Sequence, residues 1–486
     1  MHASKLIVEV GVMAMTVAVA SMSRGETAAP APTTHPNVLL IVVDDLNLAL
    51  GCYGNREVKS PNIDRLAARG TRFDRAYCQY PLCNPSRVSF LSGRRPETSG
   101  VYVLSTPART ALPDAVMLPQ FFRNRGYFTG GAGKVFHSVK MNDAKSWDFY
   151  EDGDGADPQE QAAIKSRYGG GDGRPAWHVL DGDGSQMRDG LNAQTISRLI
   201  AEQTAATKPF FLAAGFHKPH LPWTAPKRFF DLYPDGAITV PPEPALRDVP
   251  AIALQTELSG FAQPASRAGA IRGYYACVSA TDHQIGRLLD QLDRLDLWEN
   301  TVVVLLGDNG FHLGDHGGLW AKLSAFDAAT RVPLIFAGAG VPAGRVASAP
   351  VELLDVYPTL LELGGFPIAP ELEGRSLVPL MRGTSPALPR QARSMVFHYD
   401  AAARRDVLGC TVIAAQWRYT EWDGGTAGRE LYWRPDDPAE YSNRTADPAL
   451  AAAVREGQDA LQRLPAPKPG PANRPRALTP ADRRVN

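Results

Sequence analysis

Cysteine is scarce in this sequence: five in 486 residues, at positions 52, 78, 83, 277 and 410. An odd, widely spaced set excludes a disulfide-built scaffold, and the spacing fits no zinc-ligand pattern. Whether Cys52 and Cys78 pair is left open by sequence alone. A charge excess is also missing, since 51 Lys+Arg face 51 Asp+Glu. That removes any global pull toward nucleic acid or an anionic membrane, so selectivity for an anion must come from a local site. Beyond residue 22 no stretch approaches the ~20 apolar residues that span a bilayer, so no stable membrane span is expected. Two Asp-Gly-Asp-Gly runs, at 152–155 and 181–184, lack the glycine and terminal acid of an EF-hand loop. They read as part of a long surface excursion over 142–190.

What is present is ordinary globular material, 44% hydrophobic and 21% charged, in a chain longer than one core usually holds. One large domain and a smaller one are expected. Residues 1–22 carry Lys5, an apolar run and a small-residue exit at Ala18-Val19-Ala20, the pattern of a secretory leader, although Glu9 interrupts it. Residues 1–28 are therefore set aside as leader and linker, with export to the periplasm or outside the cell.

Two segments share one design. Asn37–Val43 is an apolar, β-branched run ending in Asp44-Asp45, and Thr301–Gly307 is another ending in Asp308-Asn309. Such runs suit strands buried on both faces of a parallel sheet. Ligands in open α/β sheets sit beyond the carboxyl ends of the strands. Three carboxylates and an amide there form an oxygen-only donor set, which favours a hard cation, Ca²⁺ before Mg²⁺, over zinc. Between them lie a helix from Pro61 capped by Ser60, a helix over Leu118–Arg125, and a strand over Tyr127–Gly131 followed by Lys134 and His137. A helix over Leu191–Thr204 and a strand over Lys208–Gly215 come next. That strand exits into a loop carrying His217, Lys218, His220 and Trp223. Residues 267–297 space their apolar side chains three and four apart, a long packing helix. Arg331–Phe336 reads as one strand, and Glu352–Leu363 as a helix bent or interrupted by Pro358. From about residue 390 short strands follow without helices between them, an antiparallel subdomain over 389–464 closed by a helix from Ala449, with a Pro- and Arg-rich tail at 465–486.

The stretch Pro81-Leu-Cys-Asn-Pro-Ser-Arg-Val-Ser-Phe-Leu-Ser-Gly-Arg-Arg95 places Cys83 at a helix start. Pro85 belongs in a first turn, Asn84 is a cap candidate and Gly93 a stop. A lone cysteine beside proline is ordinarily a small buried hydrophobe. Here Cys-x-Pro-Ser-Arg followed by Leu-Ser-Gly-Arg resembles the signature of type I sulfatases. Leu-Gly-Cys-Tyr-Gly, Ser-Pro-Asn-Ile-Asp, Gly-Lys-Val-Phe-His, His-Lys-Pro-His and Trp-Ala-Lys resemble the iduronate-2-sulfatase branch of that family. Asn309 departs from the branch, which carries His there, and the branch's additional cysteines are absent.

The resemblance implies an alkaline-phosphatase/sulfatase-like α/β fold over 29–388. A large, mostly parallel central sheet would be flanked by helices and followed by the small C-terminal antiparallel subdomain. It implies Cys83 oxidised to formylglycine by a maturation enzyme, and one Ca²⁺ held by Asp44, Asp45, Asp308 and Asn309 with residue 83. The substrate would be a sulfated carbohydrate. Arg87, Lys134 and Lys322 would stabilise the transferring sulfate, His220 with Lys322 would protonate the leaving oxygen, and His137 would act as base. His217, His312, His316 and Asp315 stand in a second rank. Two other functions remain open: a phosphonate monoester or phosphodiester hydrolase of the same fold, and a secreted glycan-binding relative that is never matured.

Overall fold

The computed structural model describes residues 35–152, 157–165, 177–240, 242–255, 264–384, 390–400 and 402–468. The expected leader and most of the expected tail lie outside these residues. The centre is an eight-stranded sheet. Its strands are β1 (Asn37–Val43), β2 (Gly70–Phe73), β3 (Phe128–Gly133), β4 (Phe149–Glu151), β5 (Phe210–Phe216), β6 (Thr301–Gly307), β7 (Leu334–Gly338) and β8 (Arg345–Ala347). They lie in the order β8-β2-β7-β6-β1-β5-β3-β4. Only β7 runs against its neighbours, pairing antiparallel with both β2 and β6; the other pairings are parallel.

The apolar runs occupy the middle because both of their faces are covered. Leu39, Ile41 and Val43 of β1 point into one core, packed under the helices α1 (Pro61–Ala68), α4 (Arg188–Ala205) and α5 (Pro264–Arg294). Val38, Leu40 and Val42 point into the other, beneath α2 (Cys83–Ser92) and α3 (Leu118–Arg123). The period-two alternation of a strand thus feeds two cores at once. Each buried Val, Leu or Ile contributes about 1.5–3 kcal/mol of apolar burial, less the entropy of ordering it.

Several local expectations change. Arg331–Phe336 is two strands. Arg331–Val332 pairs with Ala76–Tyr77, while Leu334 onward joins the main sheet. Pro333 between them has no N–H to give a ladder. Pro358 neither bends nor breaks its helix, because Val356–Leu363 starts only two residues earlier and first-turn N–H groups need no intrahelical partner. Ser60 does not cap α1 through its side chain. The Asp282 carboxylate takes the Asn62 and Ile63 N–H groups at 3.0 and 2.8 Å instead. Asn84 is likewise inside α2, where its amide donates to the Val103 and Thr106 carbonyls, and Leu82 holds the cap position. All five cysteines are free thiols, so Cys52 and Cys78 do not pair.

A second, four-stranded antiparallel meander follows: Ala392–Asp400, Arg405–Ile413, Trp417–Trp422 and Gly428–Trp433, with helix Ala451–Gln462 against it. Its first strand adds to the segment leading into α2, through Met395 N to Gln79 O at 3.0 Å and Phe397 N to the Tyr80 hydroxyl at 3.2 Å. The buried Arg418 guanidinium joins it to the main body by pairing with Glu440 at 2.7 Å and with Asp327. Among the described residues no helix is long and apolar enough to cross a membrane.

Candidate active site

β1 and β6 are adjacent and in register, with Val43 opposite Gly307, so Asp44-Asp45 and Asp308-Asn309 leave the sheet at the same edge. Asp45 turns there with φ 59°. Its N–H and that of Asn309 both donate to Asp308 Oδ1, at 3.0 and 2.9 Å. β3 delivers Lys134 to this edge. Gly133 and Gly215 are required where β3 meets β5, because a Cβ on Gly133 would lie 2.0 Å from Gly215 O and one on Gly215 2.2 Å from the Lys134 backbone. β5 exits toward His220, and the hairpin after β6 brings in Lys322. Cys83 is the first residue of α2, so the free N–H groups of that helix open toward the same space.

The side chains interlock. Arg87 is fully buried; its Nε lies 2.8 Å from Asp308 Oδ2 and one terminal nitrogen 3.0 Å from Asp44 Oδ1. Its other terminal nitrogen donates to the Lys134 and Val135 carbonyls. Lys134 Nζ pairs with Asp44 Oδ2. Lys322 Nζ lies 2.5 Å from Asp45 Oδ1 and 2.9 Å from Cys83 Sγ. Three carboxylates thus meet three cations from the chain itself. Burial opposes ionisation of Asp44, but the Lys134 ammonium, with Arg87 and Lys322, outweighs it and holds its carboxyl well below the usual range. Burial wins at Asp308, helped by the neighbouring Asp44 and Asp45 charges against Arg87, and pushes it up to about 7. Burial, with Asp44, also lifts the Cys83 thiol well above its ordinary value. An unmodified Cys83 is therefore a protonated thiol, a poor nucleophile.

Residues 36–366 match the family described as Sulfatase, and residues 314–466 match the C-terminal family of N-sulphoglucosamine sulphohydrolase. A protein named sulfatase from Formosa agariphila is 35% identical over 437 residues, covering 84% of this chain and 82% of that protein. The chain belongs to the sulfatase family. Human iduronate 2-sulfatase is 33% identical over 520 residues, covering 87% of this sulfatase and 93% of the human protein. In fold, it matches the phosphonate monoester hydrolase of Agrobacterium radiobacter with a TM-score of 0.72 at 21% identity, covering 88% and 95% of the two chains. It matches a protein solved with its substrate D-glucosamine-2-N,6-O-disulfate with a TM-score of 0.65 at 21% identity, covering 88% and 97%. The activity of the family is hydrolysis of sulfate esters.

The donor set of this sulfatase suits the divalent metal its family generally uses. Asp44, Asp45 and Asp308 each offer an oxygen within 4.8 Å of the others. Asn309 Oδ1 is buried without a hydrogen-bond partner, while its nitrogen donates to Asp45 and to Gly310 O. A buried amide oxygen left unpaired is an acceptor in want of a cation. His220 offers a nitrogen within 4.8 Å of Cys83 and Asp44. Its Nδ1 lies 2.7 Å from Leu221 O, and a carbonyl only accepts, so Nδ1 carries the proton and Nε2 turns a lone pair toward the site. Burial and then Lys134 hold the His220 imidazole neutral, and the same causes push His137 down to about 2. His137 Nδ1 is buried without a partner.

The second-rank residues sit farther out. His217 Nδ1 lies 3.3 Å from Asp189, and His312 and His316 both turn Nδ1 to Asp315. Arg87 differs from expectation in its use: every one of its nitrogens is engaged by protein oxygen, so it braces the carboxylates and offers no free fork to an anion. Two contributors went unread in the sequence. The Ser86 hydroxyl donates to Asp308 O at 2.5 Å, and the Tyr274 hydroxyl to Asp45 O at 2.7 Å. Ser86 stood inside the quoted motif. Tyr274 lies on the apolar face of α5, where periodicity marks it only as core.

Proposed function

We propose that this sulfatase removes sulfate from a sulfated carbohydrate of the iduronate-2-sulfatase kind, after export and after a maturation enzyme converts Cys83 to formylglycine. The observation that carries the reading is the seating of Cys83. It lies on a helix N-terminus 2.9 Å from the Lys322 ammonium and 4.0 Å from Asp45, yet its own thiol is held protonated. We assign Asp44, Asp45, Asp308 and Asn309 to one divalent cation, Ca²⁺ by the hardness and irregularity of the donor set. Formylglycine at 83 would supply a hydrated aldehyde as nucleophile, and the cation would draw charge from the sulfate oxygens.

The chain's residues then have distinct tasks. Lys134 and Lys322, now paired with Asp44 and Asp45, turn toward the sulfate group and offset its charge. Arg87 holds Asp44 and Asp308 at fixed spacing. His220 faces the site with a lone pair, so it becomes a proton donor only as imidazolium, a form that a bound anion favours. Lys322 is the second donor within reach of position 83. His137 is our candidate for accepting a proton, on the support of its neutral ring and unpaired nitrogen. The similarity to human iduronate 2-sulfatase over 87% of the chain supports the carbohydrate class.

The test is sulfate release from a panel of sulfated glycosaminoglycan and algal oligosaccharides. The enzyme is produced with and without a formylglycine-generating partner, and Cys83→Ser serves as control. Turnover confined to the matured enzyme and lost in the control is expected. Equal turnover by unmodified protein would overturn the assignment of Cys83. Faster cleavage of a phenylphosphonate ester than of an aryl sulfate would favour the phosphonate hydrolase reading.

A further inference from the structure

Lys322 is held by an unusual piece of backbone. The residues on either side, Ala321 and Leu323, have φ of 70° and 62°, the left-handed region that side-chain-bearing residues enter only when the surroundings impose it. Leu323 is fastened at both of its backbone groups. Its N–H donates to Pro81 O at 3.2 Å, two residues before Cys83. Its carbonyl lies 2.6 Å from Nε2 of His398, on the first strand of the C-terminal sheet. The other nitrogen of the same ring, Nδ1, lies 2.6 Å from Ile252 O.

Both partners are carbonyl oxygens, which accept and never donate. A neutral imidazole has one N–H and one lone pair, so it can satisfy one of them while pressing its lone pair against the other. Only imidazolium donates to both. The ring is 3% exposed and lies against Trp422, centroids 4.6 Å apart and planes at 33°, a face that attracts a cation. Water has little access to replace either bond. The charged groups on the elements around it are Lys322 in the 321–323 strap with His316 before it, Arg393 and Asp400 on its own strand, Arg405 and Asp406 on the paired strand, and Arg418, Glu421, Arg429 and Glu430 on the two strands beyond. Glu430 accepts from Trp422 Nε1 and the Tyr432 hydroxyl.

We propose that His398 is a positioning residue that, as imidazolium, clamps the Leu323 carbonyl to the Ile252 turn and thereby fixes Lys322 against Cys83 and Asp45. Loss of the His398 proton converts one of the two bonds into a repulsion and frees the strap. This inference rests on Lys322 serving the reaction as proposed above.

Two measurements test it. In matured enzyme carrying ¹⁵N-histidine, the His398 ring, identified by its disappearance in His398→Gln, should give two protonated-nitrogen shifts at neutral pH. A neutral-tautomer pair would overturn the proposal; should His398→Gln not fold, His398→Asn supplies the difference spectrum. In turnover, His398→Gln should lower kcat about tenfold, as expected for losing one bond from a charged donor. It should also remove the alkaline limb that tracks the ¹⁵N titration, with little change in KM. An unchanged limb in the variant would refute the clamp. So would a loss of melting temperature with no change in the shape of the pH profile. Lys322→Ala separates the two readings: if it leaves turnover intact, the proposed role of Lys322 fails, whereas its loss alongside an unchanged His398→Gln profile fails the clamp alone.

Discussion

Arg87 offers the sharpest quantitative test of how this site is held. Replacing it with Met keeps the length and removes every donor. Asp44 and Asp308, both fully buried, each lose a guanidinium contact of 3.0 and 2.8 Å. Removing one partner of a buried ion pair costs about 3–5 kcal/mol, mostly because an uncompensated charge stays behind. At an unfolding entropy of about 2 cal/mol/K per residue, a chain of 486 residues should melt about 3–5 °C lower. The sign of the pH dependence follows from Asp308. Its folded value of about 7 lies above the unfolded one, so the folded state already binds a proton more tightly than the unfolded chain and loses stability as pH rises toward 7. Without Arg87 this preference grows. The deficit of Arg87→Met should therefore widen from about pH 6 to about pH 8. Adding salt should change it little, because buried pairs are poorly screened. Far-UV circular dichroism melts of the unmatured, chelator-treated protein give the measurement. A variant melting within about 1 °C of its parent at pH 8 would refute the argument, since 3 kcal/mol would then be missing. The double variant Arg87→Met/Asp308→Asn should recover part of the loss, because it removes one orphaned charge.

The other expectations are simpler. Asp282, pushed up to about 6 by burial against the helix N–H groups it accepts, makes the fold lose stability as pH rises from about 4 to about 6. Asp282→Asn should flatten that slope relative to the parent, and a parallel offset at all pH values would contradict it. Ca²⁺ should raise the melting temperature in a concentration-dependent way, by the equivalent of about 2.7 kcal/mol at a hundredfold excess over Kd. Chelation should reverse the gain and Asp45→Asn abolish it; an equal gain in that variant would place the cation elsewhere. His220→Gln should slow release of sulfate from a sugar alcohol about 10²–10⁴-fold while affecting nitrophenyl sulfate far less, because a good leaving group needs no proton. Equal losses on both substrates would remove His220 from the acid role.

Much of the fold was readable because its strongest signals are compositional. The unbroken apolar runs 37–43 and 301–307 can only be strands covered on both sides, and they became adjacent central strands. The three- and four-residue spacing after residue 267 gave α5. What sequence hid were departures set by partners far along the chain. Asn84 and Ser60 carry the right chemistry for caps, but Asn84 spends its amide on two loop carbonyls, and Asp282 from α5 takes over the N–H groups at the start of α1. Local preference was overridden by tertiary contact at both places.

The site divides along the same line. Oxygen donors at strand ends are legible, because two adjacent acids closing a doubly buried run need a compensating charge. Which cation compensates which acid is not legible, since it depends on strand order. Lys134 meets Asp44 across 90 positions only because β3, β5 and β1 are consecutive in the sheet. Arg87 shows the cost of reading a residue type without its partners. A guanidinium beside a helix N-terminus reads as an anion fork, and here its geometry is consumed by two carboxylates and two carbonyls. His398 and Tyr274 were invisible for the opposite reason: Tyr274 sits on an apolar helix face that accounts for its burial, and His398 is a buried polar residue on the inward face of its strand. Only the position of a polar tip distinguishes them from their neighbours, and that tip is aimed at the backbone of Leu323 in one case and of Asp45 in the other. The side chains that set the orientation of this site are thus drawn from its core, where period and hydrophobicity are satisfied and carry no further information.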